Sequence, residues 1–174
     1  MAIILDADVI ICDEKGTFDL AGWLASQPDE EFEVAAITLA ELWHGVERAT
    51  GDHRTRRLAY LEVVFAKLPV IDCTPEIARE HARLWAELET AAKMTGYYDL
   101  IVAATARLRG SKLATFNRRH FEHIQGRSLA AISKHPPQRK QGFFAVGIQW
   151  ETSMRVEPSF TSRRARAVRG FGLE

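Results

Sequence analysis

An α/β fold, a three-layer sandwich with a mostly parallel central sheet flanked by helices, is what this 174-residue sequence predicts. Three observations carry that prediction. Short apolar runs alternate with longer segments whose apolar residues recur at helical spacing. Strands that alternate with helices pair in parallel, because each crossover returns the chain in the same direction. The chain is 47% hydrophobic, enough for one substantial core, and its length fits one domain.

The elements follow in order. Residues 2–5 carry two isoleucines and meet an acid at Asp6, so they form a buried strand rather than a helix. A second strand is expected over 33–37. Thr38 and Glu41 then stand at capping-box spacing and open a helix whose Leu39, Leu42, Trp43 and Val46 share a face. A polar stretch at Gly51 and Asp52 precedes a helix through Phe65, and residues 68–71 form a third strand. Thr74, Pro75 and Glu76 give a hydroxyl cap, a proline at the first helical position and an acid. The stripe Ile77, His81, Leu84, Trp85, Leu88, Ala91 and Ala92 continues that helix to a stop at Thr95 and Gly96. Asp99 opens the next helix, which ends at Gly110. Residues 112–115 form a fourth strand, a turn follows near His120 and Phe121, and 127–132 form a fifth strand.

Charge divides the chain. Residues 1–133 hold 15 Lys and Arg against 20 Asp and Glu, whereas residues 134–174 hold 8 against 3. The sequence therefore predicts a folded domain over 1–133 and a mobile basic extension over 134–174. That extension is either a solvated tail or an arm that attracts nucleic acid. No apolar run reaches the roughly 18 residues of a membrane span, and the opening residues lack the pattern of a secretory signal. A cytoplasmic protein with no membrane association is expected. Cys12 and Cys73 match no zinc spacing and read as reduced thiols.

Three acids sit where a parallel sheet gathers its ligands: Asp6 after strand one, Glu41 on the helix after strand two, and Asp99 on the helix before strand four. Carboxylates that converge repel and invite a cation, and oxygen ligands with open water positions suit Mg²⁺ or Mn²⁺. Singly, each acid also has a structural role as a strand end or helix cap, so spacing leaves their convergence open. Asp8 is either an outer partner of Asp6 or the cap of a first helix. Arg118, Arg119 and His120 just past strand four are available to RNA phosphate, or else belong to a solvated turn.

Four segments in order resemble the PIN-domain ribonucleases, and among them the VapC-type toxins of bacterial toxin–antitoxin pairs. They are Ile3-Ile4-Leu5-Asp6, Ile37-Thr38-Leu39-Ala40-Glu41-Leu42-Trp43-His44-Gly45, Tyr98-Asp99-Leu100-Ile101-Val102-Ala103-Ala104, and Leu113-Ala114-Thr115-Phe116-Asn117. The resemblance covers about residues 2–132. It implies a PIN-like fold, Mg²⁺ held by Asp6, Glu41 and Asp99, and cleavage of single-stranded or loop RNA by activated water. It also implies a small cognate antitoxin and a homodimer, with Trp23 and Trp43 as candidates for the antitoxin's groove. Asn117 stands where the family's fourth acid falls, and Thr115 is placed to position a water in the same corner. The alternative is a catalytically impaired RNA-binding or scaffold protein on the same fold. Asp6-Ala7-Asp8 also resembles the nucleophile motif of haloacid-dehalogenase-type phosphatases, but the late acid pair of that group is missing.

Overall fold

The computed structural model describes residues 2–124 and 128–132, and the basic extension lies outside the described residues. Strands β1 (Ala2–Leu5), β2 (Glu31–Ala35), β3 (Val70–Ile71), β4 (Lys112–Ala114) and β5 (Ser128–Leu129) form one sheet in the order β3-β2-β1-β4-β5. All four pairings are parallel, with Leu5 opposite Val34 on one side and Ala114 on the other. Ile3, Ile4 and Leu5 are each fully buried, although successive strand residues point to opposite faces. The sheet is therefore covered on both sides, as a parallel sheet requires.

Helices α1 (Ala7–Glu14), α2 (Leu20–Ala25), α3 (Ala36–Glu47), α4 (Gly51–Phe65), α5 (Pro75–Thr90) and α6 (Tyr97–Arg109) connect the strands. Thr74 caps α5 as its sequence predicts, its Oγ1 accepting from Ile77 N. Gly110 ends α6 in the left-handed conformation that a side chain disfavours. A core of Ile4, Leu84, Leu88, Leu100, Leu113 and Phe121 joins β1 and β4 to α5 and α6. None of the described helices is long and apolar enough to cross a membrane.

Three expectations need correction. Helix α3 begins at Ala36, so Glu41 lies in its second turn and Thr38 is not its cap. Thr38 is instead fully buried in the stripe Thr38, Leu42 and Val46, with Leu39 and Trp43 half-buried beside it. Helix α5 stops at Thr90 rather than Thr95, and Ala91 and Ala92 are exposed. Helix α6 starts at Tyr97 with Gly96 as its cap, which puts Asp99 in the first turn instead of at the start.

The strand order marks the place where sheets of this kind gather their ligands. The connection leaving β1 runs to β2 on one side, and the connection leaving β4 runs to β5 on the other. The crevice between the carboxyl ends of β1 and β4 is thus the topological switch point of the sheet.

Candidate active site

The switch point is built from the residues just past those two strands. Asp6 ends β1 and caps α1, with Oδ1 accepting from Ala7 N at 2.8 Å. Its Oδ2 accepts from Thr115 Oγ1, one residue past β4, at 2.9 Å. The chain is already helical at Ala7, so Asp6 and Asp8 do not face the same way as they would on a strand. Asp6 is the cap, and Asp8 lies in the first turn of α1. Asp8 Oδ2 accepts from Thr115 Oγ1 at 3.1 Å, Phe116 N at 3.0 Å and Asn117 N at 2.8 Å. It fastens the loop after β4 to α1. Thr115 is buried, and its single hydroxyl proton faces Asp6 and Asp8. It joins the two acids and accepts from Asn117 N at 3.0 Å.

Asp99 comes from the other side, on the first turn of α6. A Cβ on Gly96 would approach Asp99 Oδ2 to 3.0 Å, so the glycine leaves room for this carboxylate to fold over the helix start. His120 Nδ1 lies 2.6 Å from Asp99 Oδ2, and Asn117 Nδ2 lies against the imidazole, 2.8 Å from Nδ1 and 3.0 Å from Nε2. With Nδ1–H donating to Asp99, Nε2 is left to accept from the Asn117 amide. Asn117 thus reaches Asp99 through a histidine. His120 is the residue the sequence underrated: it is a partner of the third acid.

A cleft of about 580 Å³ gathers Asp6, Asp8, Glu41, Asp99, Asn117 and His120, with Tyr97 and Tyr98 at its edge. Arg118 lines neither this cleft nor the neighbouring hollow, which takes Arg119. Burial pushes the Asp6 carboxyl up to about 7, with the Asp8 charge adding to it and the bonds from Thr115 and Ala7 opposing. Burial likewise raises Glu41, with Asp99 and then Asp8 contributing. These acids feel one another, and among the described residues no Lys or Arg pairs with Asp6 or Glu41.

The carboxylates share a cleft without closing into a cage. Among the described residues no group of three or more His, Cys, Asp and Glu is drawn together enough to hold a metal ion. Asp6 is tied to Ala7 and Thr115, and Asp99 to His120. The donor set nonetheless fits Mg²⁺, which keeps several waters and needs only one or two protein carboxylates at close range.

The sequence profile of the PIN domain matches residues 3–126. The chain belongs to the PIN domain family. Similar curated proteins include Ribonuclease VapC1 of Rickettsia felis, 30% identical over 134 residues, which are 76% of this chain and 98% of that protein. Ribonuclease VapC2 of Haemophilus influenzae is 34% identical over 52% of this chain and 67% of its own length. Among solved structures, DNA-bound VapBC from Salmonella typhimurium superposes with a TM-score of 0.68 at 27% identity, covering 75% of this chain and 97% of that one. VapBC2 of Rickettsia felis bound to a promoter DNA fragment gives a TM-score of 0.69 at 23% identity, with 75% and 98% coverage, a likeness of fold. This places the PIN domain described above among VapC proteins.

Proposed function

We propose that this PIN domain is an Mg²⁺-dependent endoribonuclease that cuts single-stranded or loop RNA and serves as the toxin of a toxin–antitoxin pair. The observation that supports the reading is the cluster of carboxylates in the cleft at the switch point, with Asp6 raised to about 7 by burial and by neighbouring acids. Such perturbed groups in a cleft mark a site that awaits positive charge. Asp6, Glu41 and Asp99 would hold the cation, Mg²⁺ or Mn²⁺, which supplies charge neutralisation and Lewis acidity at a phosphodiester.

The chain's own residues set the geometry. Thr115 and the Ala7 amide orient Asp6, Asp8 secures the loop that carries Thr115 and Asn117, and His120 orients Asp99. Water attacks phosphorus in line as the bond to O3′ breaks, and a proton passes to that oxygen. The products carry 5′-phosphate and 3′-hydroxyl ends. A small antitoxin protein holds the toxin silent by laying an amphipathic helix in a groove and setting an Arg or Lys against the acids. Trp43 is half-buried on α3 and suits that groove. Trp23 is half-buried as well, with its ring against Phe18 and Phe32. A homodimer and a cytoplasmic site belong to the same reading.

Asn117 in place of a fourth acid favours a second reading, an RNA-binding or scaffold protein that does not cut. Mapping RNA 5′ ends after brief expression of the chain, beside an Asp99→Asn control, separates the two. New 5′-phosphate ends that need Asp99 support the nuclease. RNA bound in metal without new ends supports the scaffold.

A further inference from the structure

A second hollow of about 310 Å³ opens beside the acidic cleft and shares Gly96 and His120 with it. Its remaining lining is Lys93, Met94, Thr95, Arg119 and His123. The charge reverses across that shared edge, from Asp6, Glu41 and Asp99 on one side to Lys93 and Arg119 on the other. Among the described residues no carboxylate pairs with Lys93, Arg119 or His123. Thr95 Oγ1 is buried there with no hydrogen-bond partner among the described residues.

The backbone holds this hollow in place. Ala92 N–H donates to Glu89 O at 3.0 Å and Lys93 N–H to Leu88 O at 2.9 Å, a Schellman ending to α5. Ala92 sits at φ 54, in a region an alanine rarely takes, and the turn it makes carries Lys93 to the rim. Arg119 and His123 arrive from the 3₁₀ turn Arg118–His120 and the residues after it, whose entry Asp8 fixes through Asn117 N.

We propose that this hollow is a phosphate subsite for the RNA strand, holding the phosphate next to the one that is cut. The proposal rests on the ribonuclease reading and adds to it a second, positive anchor. An acidic cleft repels a phosphodiester until a cation arrives, and the residues 1–133 that contain it carry more acid than base. A strand that grips the enzyme one nucleotide away is held in register while its neighbour lies among the carboxylates. Lys93 and Arg119 supply charge, and Thr95 and His123 supply further donors. Each such contact on single-stranded RNA adds about 0.7 to the slope of log affinity against log salt.

The test is a double-mutant cycle on cleavage by the full chain with Mg²⁺. The substrate is an oligoribonucleotide spanning a mapped cut site, with an uncharged methylphosphonate replacing each phosphate neighbouring the scissile one in turn. With the wild type, one of the two replacements is expected to raise KM about tenfold, the scale of one charge-assisted contact. With Lys93→Ala/Arg119→Ala the same replacement changes KM by less than about twofold. Arg118→Ala, outside both hollows, keeps the full penalty. Equal penalties in the wild type and the double variant overturn the subsite and leave the ribonuclease reading standing. Loss of antitoxin affinity in the double variant with the methylphosphonate penalty unchanged assigns the hollow to the protein partner and also overturns the subsite. Absence of RNA cleavage by the wild type overturns the ribonuclease reading and the subsite with it.

Discussion

Glu80 and Asp6 are buried to nearly the same degree, 7% and 6% exposed, in two regions that treat a carboxylate in opposite ways. Glu80 on α5 is paired with Arg107 from α6 and, at 3.2 Å, with Arg83. Arg107 also binds Glu87 at 2.8 Å, and that hydrogen bond holds the Glu87 carboxyl below its ordinary value. Asp6 has two hydrogen bonds, acid neighbours and a carboxyl pushed up to about 7. A buried acid that serves the fold brings its cation with it. A buried acid without one, as at Asp6, is pushed toward its neutral form.

The sharpest way to break this comparison is Asp99→Asn. The amide keeps the size of the side chain and removes the charge that a cation needs. RNA cleavage should fall by about a thousandfold or more, since several kcal/mol of charge stabilisation are lost at the phosphate. Mg²⁺ should raise the melting temperature of the wild type and much less that of the variant. Retained cleavage removes Asp99 from the site.

Arg107→Ala is the matching change in the other region. It leaves Glu80 buried with only the exposed Arg83 beside it. Removing one partner of a buried pair costs about 3 kcal/mol or more. Denaturant unfolding should show that loss, with metal affinity unchanged. If the variant is as stable as the wild type, Glu80 does not depend on its cation and the contrast with Asp6 fails.

The third test is pH. The folded-state value for Asp6 is about 7, raised from an ordinary 3.8, so folding favours its neutral form. Its contribution is complete below about pH 4 and is lost as pH rises through about 7. Metal-free wild type should therefore lose stability relative to Asp6→Asn as pH climbs through that window, at a slope no steeper than about 1.4 kcal/mol per pH step of one. Saturating Mg²⁺ should flatten the difference, because the cation stabilises the charged form. Parallel stability curves for the two proteins without metal would show that Asp6 is not strained by its charge.

Much of this was legible in the sequence, and the misses have physical causes. The sequence placed Asp6, Glu41, Asp99, Thr115 and Asn117, and the fold brings them to one crevice. What it could not give was the wiring. Asp8 bonds residues more than a hundred positions away, and no local pattern encodes that. Thr38 and Glu41 matched a capping box, yet burial of Thr38 against the core outweighed the cap. Lys93 gave no signal, because its place in the hollow depends on where α5 ends. Ala91 and Ala92 continue the helical stripe in sequence, and only the backbone shows that Ala92 turns left-handed and ends it.

Asn117→Ala probes the orienting side chains of the cleft. It removes the amide that bonds His120 and leaves the Asn117 N–H on Asp8. Cleavage should slow about 10- to 100-fold, the scale for losing a group that orients a metal ligand. The loss should appear in kcat more than in KM, and calorimetric Mn²⁺ titration should show weaker binding. Asn117→Asp should strengthen binding of a second Mn²⁺, since it adds charge. Wild-type behaviour in Asn117→Ala would reduce this residue to a turn former.

The smallest effect separates the two regions at their helix ends. Helix α5 ends beside the cleft in Ala92 at φ 54, and α6 ends away from it in Gly110 at φ 64. The two backbones are alike, but only one carries the residue that suits it. A left-handed alanine costs about 1 kcal/mol against glycine, offset in part by the greater freedom of glycine in the unfolded chain. Ala92→Gly should therefore stabilise the protein by about 0.5 kcal/mol. Gly110→Ala should destabilise it by about 1 kcal/mol, with no steric contribution, since a Cβ there meets nothing within 4 Å. Denaturant midpoints read both changes. Ala92→Gly relieves the strain without changing the turn that carries Lys93 to the rim of the hollow, so RNA binding should stay as in the wild type while the fold is stabilised. Gly110→Ala should lower stability alone. A stabilised Ala92→Gly with weakened RNA affinity would show that the strained turn itself, and not only the path it gives the chain, serves binding.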